Sequence, residues 1–407
     1  MRPMLYHAYQ GFTDCLEPMR SWARLVNLGL SVPAARLPPG ARRLQAACEV
    51  FARMALTHVR PDFGVDTVDT AAGPLPVTEE ATLRTPFATL LHFRKPPVEP
   101  AQPRLLIVAP MSGHFATLLR GTVRTALRDH DVWITDWHNA RDVPIGEGGF
   151  GLEDYVTHLI RFIEAIGSPV HVLAICQPTV PALAAAAVMA EVKHPHTPRT
   201  LSLMAGPIDT RVNPTEVNRL ANERPIAWFE RCMTSVVPLR HPGALRRVYP
   251  GFVQISAFMS MNVERHRKAF GDLYGHLVDG DEAQADAIRS FYEEYFAMAD
   301  IPAEFYLQTV ERIFQKAMLA TGELTYRGRR IDCGAIRRTA LLTVEGEKDD
   351  ICSIGQTVAA QELCSGIRPY MRQHLVQTGV GHYGVFNGRR WEQSIYPVLR
   401  DFVFAHD

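Results

Sequence analysis

His171-Val172-Leu173-Ala174-Ile175-Cys176-Gln177-Pro178-Thr179-Val180-Pro181 is the stretch on which the reading of this chain turns. A short apolar run of strand type ends in a nucleophilic side chain. It passes at once into an Ala-rich helical run, Val180 to Val192. That is the layout of a nucleophile elbow, usually spelled G-x-S-x-G. Here Cys176 stands for the serine, and Ala174 and Pro178 stand for the glycines. Small Ala174 leaves room where a large side chain would clash across the turn, and Pro178 falls where a helix start needs no N–H. A thiol at a helix N-terminus meets free N–H groups and partial positive charge, which favour the thiolate and its attack on a carbonyl. The N–H of Gln177, the residue after the nucleophile, would face the developing oxyanion. A buried cysteine at a strand end is also a common packing element, so the elbow needs support from elsewhere in the chain.

Working outward, further apolar strand-type runs stand at Leu105–Ala109, Asp131–Thr135 and Thr200–Met204, then at Ala340–Val344 and Gln373–Gln377. An amphipathic helix, Glu392–Phe404, closes the chain. Apolar runs alternating with helices predict a mostly parallel central sheet with helices on both faces. Four segments are expected. Residues 1–80 form an N-terminal helical segment packed on the core, with helix spacing at Phe12–Leu28 and Ala41–His58 broken by Pro33, Pro38 and Pro39. Residues 81–209 form the first part of the core. Residues 210–333, rich in aromatic rings, form a helical lid insertion, and residues 334–407 complete the core.

Two late segments supply the missing support. Thr343-Val344-Glu345-Gly346-Glu347-Lys348-Asp349-Asp350 puts an acid just past a late strand. Asp349, three residues after Gly346, is the expected triad acid, with Asp350 in reserve. Gly379-Val380-Gly381-His382-Tyr383-Gly384 follows the last strand and gives His382 backbone room to reach a nucleophile. The order Cys176, Asp349, His382 is that of the α/β-hydrolase fold. The loop Pro110-Met111-Ser112-Gly113-His114 follows the first clear core strand, and Met111 or Ser112 is expected to give the second oxyanion N–H. His114, His171 and His374 receive no catalytic step, and Cys352 is read as structural.

Composition narrows the classes without naming a partner. The chain has 407 residues, 47% hydrophobic and 21% charged, which is ordinary for a folded protein. Lys plus Arg and Asp plus Glu are both 43, so no net charge draws nucleic acid or an anionic surface. No apolar run is long enough for a membrane span. The first residues lack a signal-type apolar segment, and seven cysteines without a C-x-x-C pair fit a reducing cytoplasm. No metal or nucleotide motif is present, so no cofactor is expected.

The chain resembles the intracellular poly(3-hydroxybutyrate) depolymerases, members of the polyhydroxyalkanoate depolymerase family. The resemblance runs along nearly the whole chain. It is carried by Met4-Leu5-Tyr6, Ala109 to His114 with Ala116 to Arg120, Thr135-Asp136-Trp137, and Ala140-Arg141. Further on it is carried by Cys176 to Pro181, Gly206-Pro207-Ile208-Asp209, Arg247 to Phe252, and Gly381 to Gly384. It implies a Cys–His–Asp triad at Cys176, His382 and Asp349. It also implies hydrolysis of amorphous polyester at cytoplasmic storage granules, releasing 3-hydroxybutyrate oligomers and monomer. A polyester synthase would use the same triad on the same fold, but its elbow resembles G-x-C-x-G, from which Ala174 and Pro178 depart. A non-catalytic granule-coat protein would need no triad.

Overall fold

The computed structural model describes residues 4–30, 37–71, 73–261 and 263–407; Pro33, one of the expected helix breaks, lies outside them. Its centre is an eight-stranded sheet. In chain order the strands are β1 (Thr78–Arg84), β2 (Ala88–Arg94), β3 (Arg104–Val108) and β4 (Asp131–Trp137), then β5 (His171–Ile175), β6 (Thr200–Met204), β7 (Ala340–Gly346) and β8 (Arg372–Gln377). Across the sheet they run β8-β7-β6-β5-β3-β4-β2-β1. Only β2 runs against its neighbours β1 and β4; the other pairings are parallel. This is the α/β-hydrolase fold.

The residue pattern dictates these elements. Every residue of β5, β6 and β7 is buried, as expected of parallel strands covered on both faces. Along β3 the side chains alternate between two separate cores. Leu106 and Val108 pack with helices α4 (Leu152–Ile166) and α5 (Thr179–Glu191). Leu105 and Ile107 pack with α3 (Arg120–Ala126) and the closing helix Tyr396–His406. Helix α4 turns Tyr155, Leu159, Phe162 and Ile166 inward at helical spacing. Helix α5 is buried nearly all round, which its alanines permit.

Three features depart from the sequence reading. Strands β1 and β2 precede the first strand read from the sequence. β1 is an exposed edge carrying Glu79, Glu80 and Arg84, so it shows no apolar run, and β2 lies between Pro86 and Pro96, where breakers mask it. The N-terminal segment is not only helical. Helices α1 (Met4–Gly29) and α2 (Pro39–Arg53) are followed by a β-hairpin, Thr67–Thr70 with Gly73–Pro76. Between β6 and β7 the chain holds helices and also a small antiparallel sheet of Ser235–Val236, Arg247–Tyr249 and Ile301–Pro302. Among those helices, α6 (Gly251–Met261), α7 (Val263–Asp279) and α8 (Glu282–Tyr295) matter most for the site. Helix α2 packs against α7.

The strand order reverses between β5 and β3, which lie side by side and parallel with Val108 opposite Ala174. A crevice at the C-terminal ends of the strands is expected at such a point. The loops after β3, β5, β7 and β8 all gather there.

The loop after β7 is fixed by one buried carboxylate. Glu345 is fully buried on β7 and accepts N–H bonds from Gly355 (3.0 and 3.1 Å), Thr357 (2.7 Å) and Val358 (2.9 Å). A buried charge is tolerable when its lone pairs are satisfied in this way. Glu345→Gln puts an amide NH2 against those donors and should lower stability by about 2–4 kcal/mol, the scale of losing charge-assisted bonds in the interior. Thermal unfolding followed by circular dichroism checks this; an unchanged midpoint would mean that the loop is held by other contacts.

Candidate active site

Cys176 sits directly after β5 with a backbone φ of +66°, the left-handed conformation that a sharp strand-to-helix turn imposes. The turn is held in place. Cys176 N–H donates to Met204 O on β6 (2.7 Å), and Thr179 donates to Cys176 O through its N–H (3.1 Å) and its hydroxyl (2.9 Å). Gly206, past β6, lies so close that a Cβ there would come within 1.9 Å of Thr179 Oγ1. A glycine at that position lets the two chain segments meet. Pro178 is the residue just before helix α5 rather than inside its first turn.

The acid turn and the histidine loop are stitched together. Lys348 N–H donates to Val380 O (2.8 Å) and Glu347 N–H to Gln377 O (3.0 Å). A Cβ on Gly346 would lie 2.7 Å from Val380 O, so the crossing of the two loops needs a glycine. This places Asp349 Oδ2 2.8 Å from His382 Nδ1, with both side chains buried. The other oxygen of Asp349, Oδ1, accepts N–H bonds from Ile351 (2.9 Å) and Cys352 (2.8 Å). Asp350 is exposed and makes no hydrogen bond or ion pair among the described residues. Of the two acids, the structure brings Asp349 to the histidine.

His382 and Cys176 act on each other electrostatically, each shifting the other's titration. The Cys176 thiol is held well below its ordinary value. A hydrogen bond with the Cys352 thiol is the largest cause and burial opposes it; the charge and hydrogen bond of His382 and the N–H of Gln177 add to the lowering. Burial alone would depress the His382 imidazole. The Cys176 sulfur and the Asp349 carboxylate outweigh it and hold the ring well above its usual value. The two shifts have opposite sign and widen the pH range in which thiolate and imidazolium coexist. The pair is lost to thiolate protonation only well into acid, and to loss of the imidazolium proton only on the alkaline side.

The expected oxyanion donors are placed less simply. Gln177 N–H helps to lower the Cys176 thiol. Met111 N–H is engaged from the side by the Gln177 amide oxygen at 3.3 Å, a long bond that an anion could displace. Ser112 N–H makes no bond among the described residues. Gln177 therefore ties the elbow to the β3 loop.

Over His382 lies a cavity of about 630 Å³. Phe258 of α6 and Phe291 and Tyr295 of α8 form its apolar wall, and Arg265 and Lys348 stand among its lining groups. Other rings of the same region, Phe229, Tyr292 and Phe305, are core. His114 stacks on Phe258 with ring centres 5.5 Å apart, and burial depresses it to about 4. His171 bonds Thr200 and Asp407, and His374 bonds Thr343. These three histidines lie outside the Cys176–His382–Asp349 group. Among the described residues no cluster of side chains could hold a metal ion, and no helix is long and apolar enough to cross a membrane.

The family model described as PHB de-polymerase C-terminus matches residues 205–407. The chain belongs to the PHB depolymerase family. No curated protein matches it. Among solved structures it is similar to the 2-hydroxy-6-oxo-6-phenylhexa-2,4-dienoate hydrolase of Rhodococcus sp. strain RHA1, with 10% identity, 81% of this chain and 99% of that chain covered, and a TM-score of 0.43. It is also similar to a thermophilic esterase from Thermogutta terrifontis, with 15% identity, 84% and 98% covered, and a TM-score of 0.38. Fold and family together make this member of the PHB depolymerase family an ester hydrolase.

The family member's site contains one group that the sequence reading left as structural, Cys352. Its N–H caps Asp349, and its thiol bears on the titration of Cys176. Its position three residues past the acid was the available signal.

The ion pair can be tested without any substrate. Alkylation of an ordinary thiol by iodoacetamide slows about tenfold per pH unit below its pKa. For Cys176, followed by mass spectrometry of its peptide, the rate should stay nearly flat from about pH 8 down to about pH 6. Asp349→Asn should restore the ordinary slope, because His382 loses the anion that keeps it charged. Asp350→Asn should not. The reverse ranking would make Asp350 the partner of His382.

Proposed function

We propose that the protein is an intracellular poly(3-hydroxybutyrate) depolymerase working through Cys176, His382 and Asp349. In this reading it acts in the cytoplasm at the surface of storage granules and cleaves amorphous polyester to 3-hydroxybutyrate oligomers and monomer. The observation that carries this reading is the hydrogen-bonded His382–Asp349 pair with Cys176 at the strand-to-helix elbow, His382 lining an aromatic-walled cavity, in a chain of this family.

The mechanism follows from the placement. The Cys176 thiolate attacks an ester carbonyl of the polymer. The oxyanion is held by N–H groups of Gln177 and of the Met111–Ser112 loop, the Gln177 amide oxygen giving way at Met111. His382, already protonated, gives its proton to the departing alcohol end of the chain. A thioester on Cys176 remains. His382, now neutral, takes a proton from water, and the hydroxide releases the acid and regenerates the thiolate. Asp349 keeps Nδ1 protonated, so that Nε2 serves both proton transfers.

Two further features support a large, uncharged substrate. The rings of Phe258, Phe291 and Tyr295 offer apolar contact to a polyester strand. Helix α1 exposes Phe12, Met19, Trp22, Leu25 and Leu28, apolar area of a kind suited to a water-insoluble surface.

Incubation with amorphous poly(3-hydroxybutyrate) granules should release 3-hydroxybutyrate and short oligomers. Cys176→Ala should lower the rate at least about a thousandfold, the scale of losing a triad nucleophile. Chain growth on a hydroxyacyl-CoA with release of CoA would instead identify a synthase, and equal behaviour of the alkylated and untreated protein would identify a coat protein. We also expect residues 210–333 to act as a cap that guides polymer. Phe291→Ala and Phe258→Ala should lower granule hydrolysis several-fold more than hydrolysis of a short p-nitrophenyl ester. Equal proportional losses on both substrates would reduce these rings to packing.

A further inference from the structure

A second cavity, of about 540 Å³, lies at the C-terminal end of β4, and none of the residues lining it lines the cavity over His382. The proposed reaction has no use for its groups. Phe115, Trp137 and Val143 give it apolar walls. Asp136, next to last in β4, has its side chain only 9% exposed. Its Oδ2 forms an ion pair with Arg60 Nε (2.7 Å), and its Oδ1 has no hydrogen-bond partner among the described residues. Arg60 is committed to Asp136 and, through its other end, to Glu79 (2.8 Å). His58 donates to Met298 O (2.9 Å), and burial depresses it to about 3, so it carries no charge. Arg141 differs from both. Its backbone is fixed, the N–H by Asn139 Oδ1 (3.3 Å) and the carbonyl by Gly243 N–H (2.7 Å), at a glycine whose Cβ would lie 2.6 Å from that oxygen. Its side chain is 16% exposed, yet Nε has no hydrogen-bond partner, and its ion-pair partner among the described residues is the half-exposed Asp142, 3.7 Å away. The buried carboxylate of Asp300 is turned to others, accepting Tyr6 O–H (2.6 Å) and Gly251 N–H (2.8 Å). A mostly buried charge paired this loosely is costly, and an anion set against it would relieve that cost.

We propose that this cavity is a second ligand site, which holds a short hydroxy acid with its carboxylate on Arg141 and its hydroxyl donating to Asp136 Oδ1. A carboxylate matches the planar fork of a guanidinium. The hydroxyl meets a buried acceptor that no protein donor fills, and the carbon chain lies against Phe115 and Trp137. The surrounding charges select a monoanion. Arg60 is neutralised by its own carboxylates, which leaves one guanidinium for the ligand. Asp142 and Glu147, exposed at the rim, are screened by solvent but count against a second negative charge, so a phosphate dianion is disfavoured. 3-Hydroxybutyrate combines a carboxylate, a hydroxyl and a short apolar chain. The choice of this acid rests on the depolymerase reading, in which it is the product. The site thus gives the protein a contact with that product outside the catalytic cavity.

Binding is measured without polymer. The full-length protein is titrated with sodium 3-hydroxybutyrate, sodium butyrate, 1,3-butanediol and inorganic phosphate, each followed by ligand-observed NMR. The hydroxy acid should bind saturably. Butyrate, which lacks the hydroxyl, should bind at least about threefold more weakly, the scale of one neutral hydrogen bond. Butanediol, which lacks the carboxylate, should bind at least about tenfold more weakly, the scale of a charge-assisted bond, and phosphate should bind no better than butanediol. Arg141→Gln should weaken the hydroxy acid at least about tenfold, with thermal unfolding as the check on folding. Arg141→Lys, which keeps the charge but loses the fork, should fall between and carries the test if the Gln variant does not fold. Arg265→Gln, in the catalytic cavity, should keep the affinity. Butyrate or butanediol binding as well as the hydroxy acid, phosphate binding more tightly, or a loss with Arg265→Gln but not with the Arg141 variants would overturn the inference. A protein that binds the acid through Arg141 but leaves polyester intact would refute the depolymerase reading and leave the site standing. One that degrades polyester without Arg141-dependent binding would refute the site alone.

Discussion

The site depends on a single residue held in a conformation that side chains avoid. Cys176 has φ of +66°, and an L-residue there costs on the order of 1–2 kcal/mol. Part of that cost is offset locally by the two bonds from Thr179 to Cys176 O. The rest is offset by the parallel pairing of β5 with β6, which gives Cys176 N–H its acceptor at Met204, and by Gly206, which lets the end of β6 close on Thr179. The strained turn therefore leans on the assembled sheet as well as on its own bonds. The return is directional: the sulfur is pushed out of the sheet toward the loops that follow β7 and β8.

Those loops obey the same logic. The acid turn and the histidine loop come from neighbouring parallel strands, β7 and β8, whose register pairs Gly346 with Gln377. The missing side chain at Gly346 lets Val380 O lie over the turn. The satisfied carboxylate of Glu345 then anchors the chain beyond Asp349. Asp349 itself has its two oxygens assigned to different work, Oδ1 to backbone N–H groups and Oδ2 to His382. Its orientation is thus independent of whether the histidine is charged.

What could be read from the sequence was what is local. A strand, a nucleophile and a helix follow one another within eleven residues at His171–Pro181. An acid and a histidine each stand a few residues past a strand end, so their order was visible. The parallel core strands read well because burial on both faces makes them continuous apolar runs. β1 did not, because an edge strand keeps its charges. The influence of Cys352 on Cys176 was hidden for a different reason: their turns follow β7 and β5, with β6 between, an order that the sequence does not reveal. The engagement of Met111 N–H by the Gln177 side chain depends on β3 lying beside β5, equally invisible in one dimension. Among the rings between β6 and β7, helical spacing did not separate Phe291, which is exposed at the cavity, from Tyr292, which is core.

Helix α5 carries a last consequence. Its N-terminus faces the nucleophile, and its thirteen residues are enclosed by protein on nearly every side. Mobile ions screen charges that they can approach within a Debye length, about 8 Å at physiological ionic strength, but they screen buried groups far less. The helix dipole and the enclosed Asp349–His382 pair therefore act on the Cys176 sulfur through protein rather than through electrolyte. The reactivity of the thiolate is insulated from the salt content of the medium, and ionic strength is left to act only on the charges at the surface.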